Sequence, residues 1–500
     1  MKVKIIIVAL LAVAALLSVN AEESGKKYEA NWASLDTRPM PQWWVDAKFG
    51  IFVHWGPYSV PAFAPTDAKE FWLCYAEWYQ GQCLRTNAAF CAHHQKHYGN
   101  RPYANFAAEF TAENFRPDRW AALFKKAGAR YAVLTAKHHD GYALWPSPET
   151  PYYNSVALGS GRDLVGEFAT AMRAAGLKCG FYYSLMEYAN PLFPATVAGK
   201  SAYGPEALST KEWAACVNVP QLKELVERYR ADIVWPDGEW GWPSSEFRSE
   251  EFLSWLYNES SMRTNVVVND RWGADCRGRH GGHFTSEYGT VCDDLKTKTA
   301  VVQHPWEECR GIGKSFGYNR YETVADYLTP DACVELLVDV VSRGGNLLLN
   351  VGPTADGRIP VIMQDRLLAI GHWLEINGEA IYGTTRWEEA DPDLRKQGIY
   401  FTRRGLSIYL IATQWPKSAI VIPRIMPVDN VSFLGLDSRI EWTQSGDVLR
   451  VVFPRISATS LPSTDAWTVR IDLVGDANAV DSSRHRMISS SEIQNLCDSK

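Results

Sequence analysis

The chain has 500 residues, 46% of them apolar and 12% aromatic, and a formal net charge of −6. That much apolar sequence can bury two cores, and the aromatic share is high enough to suggest stacking surfaces beyond packing needs. A mildly acidic balance with no basic cluster argues against a nucleic-acid partner.

In chain order, Lys2 and Lys4 precede an uncharged stretch from Ile5 to Val19, and Val19-Asn20-Ala21 stands before Glu22 and Glu23. This predicts a cleavable export signal over residues 1–21, cut after Ala21. Fifteen apolar residues fall short of a bilayer span, which takes about 20. No second span follows, so the mature chain is expected to be exported without a membrane anchor: secreted or periplasmic, or lysosomal in a eukaryote.

Residues 22–387 read as one catalytic domain built on strand and helix in alternation. Apolar runs end in polar groups at His54-Trp55-Gly56, at Lys137-His138-His139-Asp140-Gly141 and at Tyr182-Tyr183. The same happens at Trp235-Pro236-Asp237-Gly238 and at Asn269-Asp270-Arg271-Trp272. Parallel strands buried on both faces read as continuous apolar runs, and a barrel carries its working residues where each strand ends. A lone histidine is more often a satisfied core residue than a functional one, and Asp237 alone could be a helix cap or a turn with Gly238. Five such strand ends in chain order look instead like the rim of one pocket.

Helical spacing lies between these runs. Trp120, Leu123, Phe124 and Ala127 share one face, as do Leu164, Phe168, Met172 and Ala175, and as do Leu222, Leu225, Val226 and Tyr229. Ala332, Leu336, Leu337, Val340 and Val341 lead into Asn346 to Pro353, and a last helix carries Leu367, Leu368, Ile370 and Trp373. The alternation predicts an α/β fold with a (β/α)₈-like, TIM-type barrel rather than an open doubly wound sheet. The absence of a Gly-x-Gly-x-x-Gly turn and of a Gly-Lys-Ser/Thr phosphate loop removes the usual nucleotide signatures, and no cofactor is expected.

After about Trp387 the texture changes to short β-rich segments: Gly398 to Thr402, Leu406 to Thr413, Ala419 to Pro423, Val448 to Pro454 and Trp467 to Val474. Residues 388–475 are therefore expected to form a C-terminal antiparallel β-sandwich, which could bind carbohydrate but by default only covers the barrel. Residues 476–500 read as a polar tail. Ten cysteines in an exported chain permit disulfides. Cys74, Cys83 and Cys91 crowd one loop and are the expected bridging candidates, whereas Cys179 and Cys333 fall in a strand and a helix as buried thiols. Asn258 and Asn430 head glycosylation acceptors if the host is eukaryotic, and homo-oligomerisation is left open.

Neutral polyols are held by planar hydrogen-bonding side chains and by aromatic faces, and His54, His138, His139, Arg271, Tyr75 and Trp78 supply both. Glycoside cleavage needs a second carboxyl group beside Asp237, about 5 Å away in a retaining mechanism. Glu287, Glu307 and Glu77 are the candidates, and each could equally be an ion-paired or surface glutamate. One rival is a metal-dependent hydrolase with His54, His138, His139 and Asp140 as ligands, although adjacent strand residues point to opposite faces. Another is a sugar-binding protein without catalysis, whose mark would be a missing Asp237.

Seven motifs in order complete the pattern: His54-Trp55-Gly56, Glu77-Trp78-Tyr79, Lys137 to Gly141, Trp235 to Glu239, Asn269 to Gly273, Arg310 to Arg320 and Gly345 to Pro353. From about residue 30 to 387 the chain resembles the α-L-fucosidases of glycoside hydrolase family 29. The resemblance implies a retaining exo-hydrolase releasing terminal α-L-fucose from fucosylated oligosaccharides or glycoconjugates, with a barrel followed by a β-sandwich. It makes Asp237, in the motif begun by Trp235, the nucleophile. It also implies that His54, Glu77, Trp78, His138, His139, Tyr183 and Arg271 contact fucose, with Phe316 near its methyl group. For the acid/base, family members resembling this chain point to Glu287 and others to Glu307, and Glu287 is favoured. The insertion from Cys74 to about Asn100 departs from the family pattern and borders the expected pocket.

Overall fold

Eight strands form one parallel sheet: β1 (Phe49–Val53), β2 (Tyr131–Lys137), β3 (Lys178–Ser184), β4 (Ile233–Asp237), β5 (Val267–Val268), β6 (Phe284–Glu287), β7 (Trp306–Gly311) and β8 (Asn346–Val351). They belong to a computed structural model that describes residues 26–475 except 189, 195, 198–199, 202–206, 289–303 and 438. The expected export signal and the polar tail lie outside the described residues. Each strand neighbours the next in sequence, and β8 returns to β1 with Phe49 opposite Leu347. Only β5 and β6 share no ladder. A single parallel bridge, Asn269 to His283, joins them, with His283 N donating to the Val268 carbonyl at 3.1 Å. Closure there depends on Gly282, where an added Cβ would lie 1.7 Å from that same carbonyl oxygen.

The strands are buried along their whole length apart from the ends of β3, β6 and β7, because side chains face packed surfaces on both sides. Phe52, Tyr131, Val133, Tyr182, Ile233, Trp235 and Leu348 fill the barrel interior. Ile51, Val53, Leu134, Phe181, Val234, Leu347 and Leu349 face outward into the helical layer.

That layer contains α1 (Pro117–Lys126), α2 (Leu164–Ala174), α3 (Val219–Tyr229), α4 (Ser249–Asn258), α5 (Pro330–Ser342) and α6 (Val361–Asn377). Their starts follow local chemistry. Proline opens α1 and α5, and the side chains of Asp163 and Thr329 cap α2 and α5 by accepting from Gly166 N and Ala332 N. Helix α1 buries Trp120, Ala121 and Phe124, the face its spacing predicts, and ends with Lys125 and Lys126 at its negative pole. The eightfold alternation is incomplete: no helix separates β5 from β6, and most of the β6–β7 connection is outside the described residues.

Beyond α6 the chain forms eight further strands: β9 (Thr385–Arg386), β10 (Ile399–Arg404), β11 (Ser407–Ala412), β12 (Ile420–Ile422), β13 (Val428–Phe433), β14 (Glu441–Ser445), β15 (Val448–Val452) and β16 (Trp467–Leu473). They make an antiparallel sheet of order β9-β10-β11-β16-β13 and a smaller one of order β12-β15-β14. Ile408, Leu410, Val469 and Ile471 from the first share one core with Ile420, Ile422, Leu449 and Val451 from the second. The module leans on the barrel's last helices. Trp373 Nε1 donates to the Ala466 carbonyl at 3.0 Å and Tyr400 Oη to Glu335 at 2.9 Å.

The expected bridging of Cys74, Cys83 and Cys91 is corrected: all three are free thiols. Their segment is not an open loop but folds into short helices at Phe71–Cys74, Tyr79–Leu84 and Ala88–Tyr98. There the Cys91 sulfur points at the Cys83 carbonyl oxygen, 3.8 Å away, instead of at a second sulfur. Cys179 and Cys333 are buried thiols as expected, and burial raises the pKa of both.

Candidate active site

At the C-terminal ends of the strands a cavity opens among Phe52, His54, Tyr75, Glu77, Trp78, His138, Tyr182, Trp235, Asp237, Trp240, Arg271, Glu287, Cys309 and Phe316. The residues come from loops and strand ends scattered over more than 260 positions, and barrel closure brings them together. A larger, open cleft lies elsewhere, beside the end of α1 and including Lys125, Lys126, Arg130 and Glu375, but it has no paired carboxylates.

Asp237 is the last residue of β4 and is held from three directions. Its Oδ1 accepts from Gly238 N at 2.7 Å and from the Arg271 guanidinium at 2.8 Å, and its Oδ2 accepts from Tyr182 Oη at 2.7 Å. The turn with Gly238 is therefore real, at a backbone φ of +80°, and coexists with the charge contact. Arg271, buried at the end of β5, also reaches Glu239 at 3.2 Å and Glu287 Oε2 at 3.7 Å. Burial opposes its charge, but Asp237, Glu239 and Glu287 outweigh that and hold the guanidinium pKa well above its ordinary value. Glu239 is the group that yields: burial, helped by Asp237 and opposed by Arg271, pushes its pKa up to about 7.

Glu287 ends β6, retains 21% side-chain exposure toward the cavity, and accepts from Tyr75 Oη at 2.7 Å. Glu77 is enclosed, with its Oε2 accepting from Gly317 N at 2.7 Å and Ser315 Oγ at 3.2 Å. Burial pushes its pKa up to about 8 against those hydrogen bonds, so near neutrality it is a hydrogen-bond donor as well as an acceptor.

The histidines are neutral. Burial lowers His54 to about 4, and it lowers His138 and His139 well below the ordinary histidine value. Asn350 gives its amide N–H to the Phe316 carbonyl at 2.7 Å, which turns its oxygen toward His54 Nδ1, also at 2.7 Å. His54 Nδ1 must then carry the proton, leaving Nε2 as an acceptor. His139 is fixed in the same way. Ser184 Oγ donates to the Met186 carbonyl and accepts from His139 Nδ1 at 2.6 Å, so Nε2 faces Asp237 at 3.6 Å. His138 Nδ1 is buried with no hydrogen-bond partner among the described residues. Such an atom costs stability unless a ligand meets it.

Several expected positions differ. Tyr183 does not reach the cavity: it faces outward, accepts from Lys137 Nζ at 3.0 Å and donates toward Asn218 and Gln221. Tyr182, one residue earlier, takes the inward place. His139 lies behind the lining, its ring 5.3 Å from that of Trp240. Both histidines stand past the end of β2, so strand alternation does not separate them and their rings are 4.3 Å apart. Asp140 points elsewhere and accepts from Tyr103 Oη at 2.8 Å. Among the described residues no group of three His, Cys, Asp or Glu side chains is placed to hold a metal ion.

Glu307 is the largest displacement. It is the second residue of β7, deep in the barrel and only 1% exposed, and it is absent from the cavity lining. Its carboxylate accepts from Tyr131 Oη and from Trp235 Nε1 at 3.1 Å, with His283 Nε2 at 3.3 Å. Trp235 in turn stacks on Tyr182, ring centroids 5.6 Å apart, beneath Asp237. Sequence reasoning missed Phe52, Trp240, Cys309 and the Glu239 contact to Arg271, and at the strand end Tyr182-Tyr183 it assigned the contact to Tyr183. Only Glu239 and Trp240 carried a signal, as part of the strand end at Asp237.

The α-L-fucosidase family model matches residues 15–379, and the model for the α-L-fucosidase C-terminal domain matches residues 392–472. Tissue alpha-L-fucosidase of Bos taurus is 41% identical over 451 residues, covering 89% of this chain and 91% of that protein. The alpha-L-fucosidase of Branchiostoma floridae is 40% identical, covering 91% and 98%. The crystal structure of Thermotoga maritima alpha-fucosidase in complex with a mechanism-based inhibitor superposes with a TM-score of 0.74 at 38% identity, covering 89% of this chain and 100% of that one.

Proposed function

The chain belongs to the α-L-fucosidase family, and from that premise we propose a retaining exo-hydrolysis of terminal α-L-fucosides, with Asp237 as nucleophile and Glu287 as acid/base. The observation that carries this reading is the reach of Arg271, whose one guanidinium lies 2.8 Å from Asp237 and 3.7 Å from Glu287. Two carboxylates flanking one small cation are close neighbours, as a retaining pair about 5 Å apart requires.

In the first half-reaction Asp237 attacks the anomeric carbon while the bond to the leaving oxygen breaks, and Glu287 delivers its proton to that oxygen. The product is a fucosyl ester on Asp237. In the second, Glu287 takes a proton from water as the water oxygen displaces Asp237, so that two inversions retain the configuration. Arg271 and Tyr182 fix the direction of the Asp237 carboxylate, which serves a nucleophile. The His54 acceptor nitrogen, the unpartnered Nδ1 of His138 and the donor form of Glu77 match sugar hydroxyls, with His139 behind them against Asp237. Phe316, with its ring 4.8 Å from His54, supplies an apolar wall suited to a methyl group.

The substrates are fucosylated oligosaccharides or glycoconjugates, met after export. The test is trapping: a 2-deoxy-2-fluoro-fucosyl fluoride should leave a fucosyl adduct on the peptide containing Asp237, seen by mass spectrometry. An adduct on another residue, or release of the inverted sugar first in NMR, would overturn the assignment.

A further inference from the structure

Phe71 and Trp72 are each 43% exposed, although large aromatic side chains bury most of their area when nothing needs them at the surface. They stand in line with the catalytic cavity. The Phe71 ring is 5.3 Å from that of Trp72 and 5.9 Å from those of both Tyr75 and Tyr288. Tyr75 donates to Glu287, and Tyr288 follows Glu287 directly in the chain.

The segment is built to hold this row. Tyr288 adopts a left-handed backbone, φ +50°, which costs a non-glycine residue free energy and here throws its ring to the side of Glu287. Its hydroxyl accepts from Gly311 N at 3.2 Å and donates to the Lys314 carbonyl at 3.0 Å, and the Arg310 guanidinium lies 5.0 Å above the ring. On the other side Cys74 is buried, anchoring the short helix that carries Phe71 and Trp72.

Direction decides what such a row can serve. A general acid must lie beside the oxygen it protonates, so the leaving group departs past Glu287 and not past Asp237. The row from Tyr288 through Phe71 to Trp72 runs outward from Glu287 on that side. We propose that Phe71 and Trp72, with Tyr288, form a stacking platform for the sugar rings of the leaving group, making oligosaccharides capped by fucose the preferred substrate class. This rests on the assignment of Glu287 above.

The test compares α-L-fucosyl fluoride, whose leaving group has no ring, with a fucose-capped trisaccharide. In Phe71→Ala/Trp72→Ala, kcat/KM for the trisaccharide is expected to fall about tenfold or more, while that for the fluoride stays within about twofold. Phe71→Tyr/Trp72→Phe should keep trisaccharide activity, and inhibition by free L-fucose should be unchanged in both variants. Equal trisaccharide activity in wild type and the alanine variant would overturn the platform, as would equal losses on both substrates. A wild-type protein inert toward fucosyl fluoride would instead sink the fucosidase reading beneath it.

Discussion

Glu287 and Glu307 sit on adjacent strands of one barrel and face opposite fates. Glu287 is the last residue of β6 and Glu307 the second of β7, so the first meets the cavity and the second the packed interior. The upper carboxylates share a cation and keep one open side. The lower one is enclosed by Tyr131, Trp235 and His283. A carboxylate enclosed by fixed donors has no path to a substrate, whereas one that borders a cavity can meet it. In a parallel barrel, height along the strand separates the two uses before residue type does.

Removing the upper machinery should cost most. Asp237→Gly is expected to lower kcat on an aryl α-L-fucoside by roughly a thousandfold or more, since a missing nucleophile forfeits several kcal/mol of barrier. Azide should restore part of it as an external nucleophile, and near-wild-type turnover in the purified variant would break the comparison at its root. Next comes Glu287→Ala, expected to lower kcat/KM on a natural fucosyl-sugar by about a hundredfold or more while sparing a nitrophenyl fucoside, which leaves without a proton. The same selectivity found in Glu307 variants, and not in Glu287→Ala, would move the acid to the lower site.

Glu307→Gln sharpens the contrast. Exchanging a carboxylate that accepts from Tyr131 and Trp235 for an amide leaves a donor facing a donor, which should cost about 1–3 kcal/mol of stability, read as a drop in Tm. Any activity loss should be the same for good and poor leaving groups, because it acts through the Trp235 and Tyr182 floor. The smallest effect concerns pH. Glu77 titrates near 8 when folded and near the ordinary glutamate value of 4.5 when unfolded. Between those values the folded chain binds more protons, so stability contributed by Glu77 is full below about pH 4.5 and is lost as pH rises through about 8. Glu77→Gln should flatten that alkaline decline in Tm, and an unchanged slope would mean that Glu77 is charged in the native state.

The strands and the rim were legible because runs such as Ile233–Asp237 join apolar residues to an abrupt carboxylate, a contrast that needs no alignment. What was hidden is phase. In Lys178–Ser184 both faces are buried, so apolar residues occupy every position and nothing in the string tells whether Tyr182 or Tyr183 points inward. Depth was hidden for the same reason. Nothing in Trp306-Glu307-Glu308 shows that Glu307 lies near the start of a strand that runs on through Cys309 and Arg310 to Gly311. The strands β13 and β14 escaped notice because polar residues alternate along exposed edges there, as in Glu441–Ser445. The crowded cysteines suggested pairing, but proximity in sequence says nothing about the direction of the side chains.

The seam between β5 and β6 gives the barrel an unequal mechanical strength. Every other junction is a ladder, but here one bridge, the Asp270 carboxylate accepting from Thr285 N and Oγ1, and two closely packed glycines, Gly281 and Gly282, hold the ring together, with no helix between the two strands. Arg271 hangs from one lip of this seam and Glu287 from the other, so their 3.7 Å contact is also a clasp across it. A sugar bound between Asp237, Arg271 and Glu287 would tighten that clasp. The amides of Val268, Asn269, Gly282 and His283 are therefore where hydrogen exchange should slow first when the cavity fills.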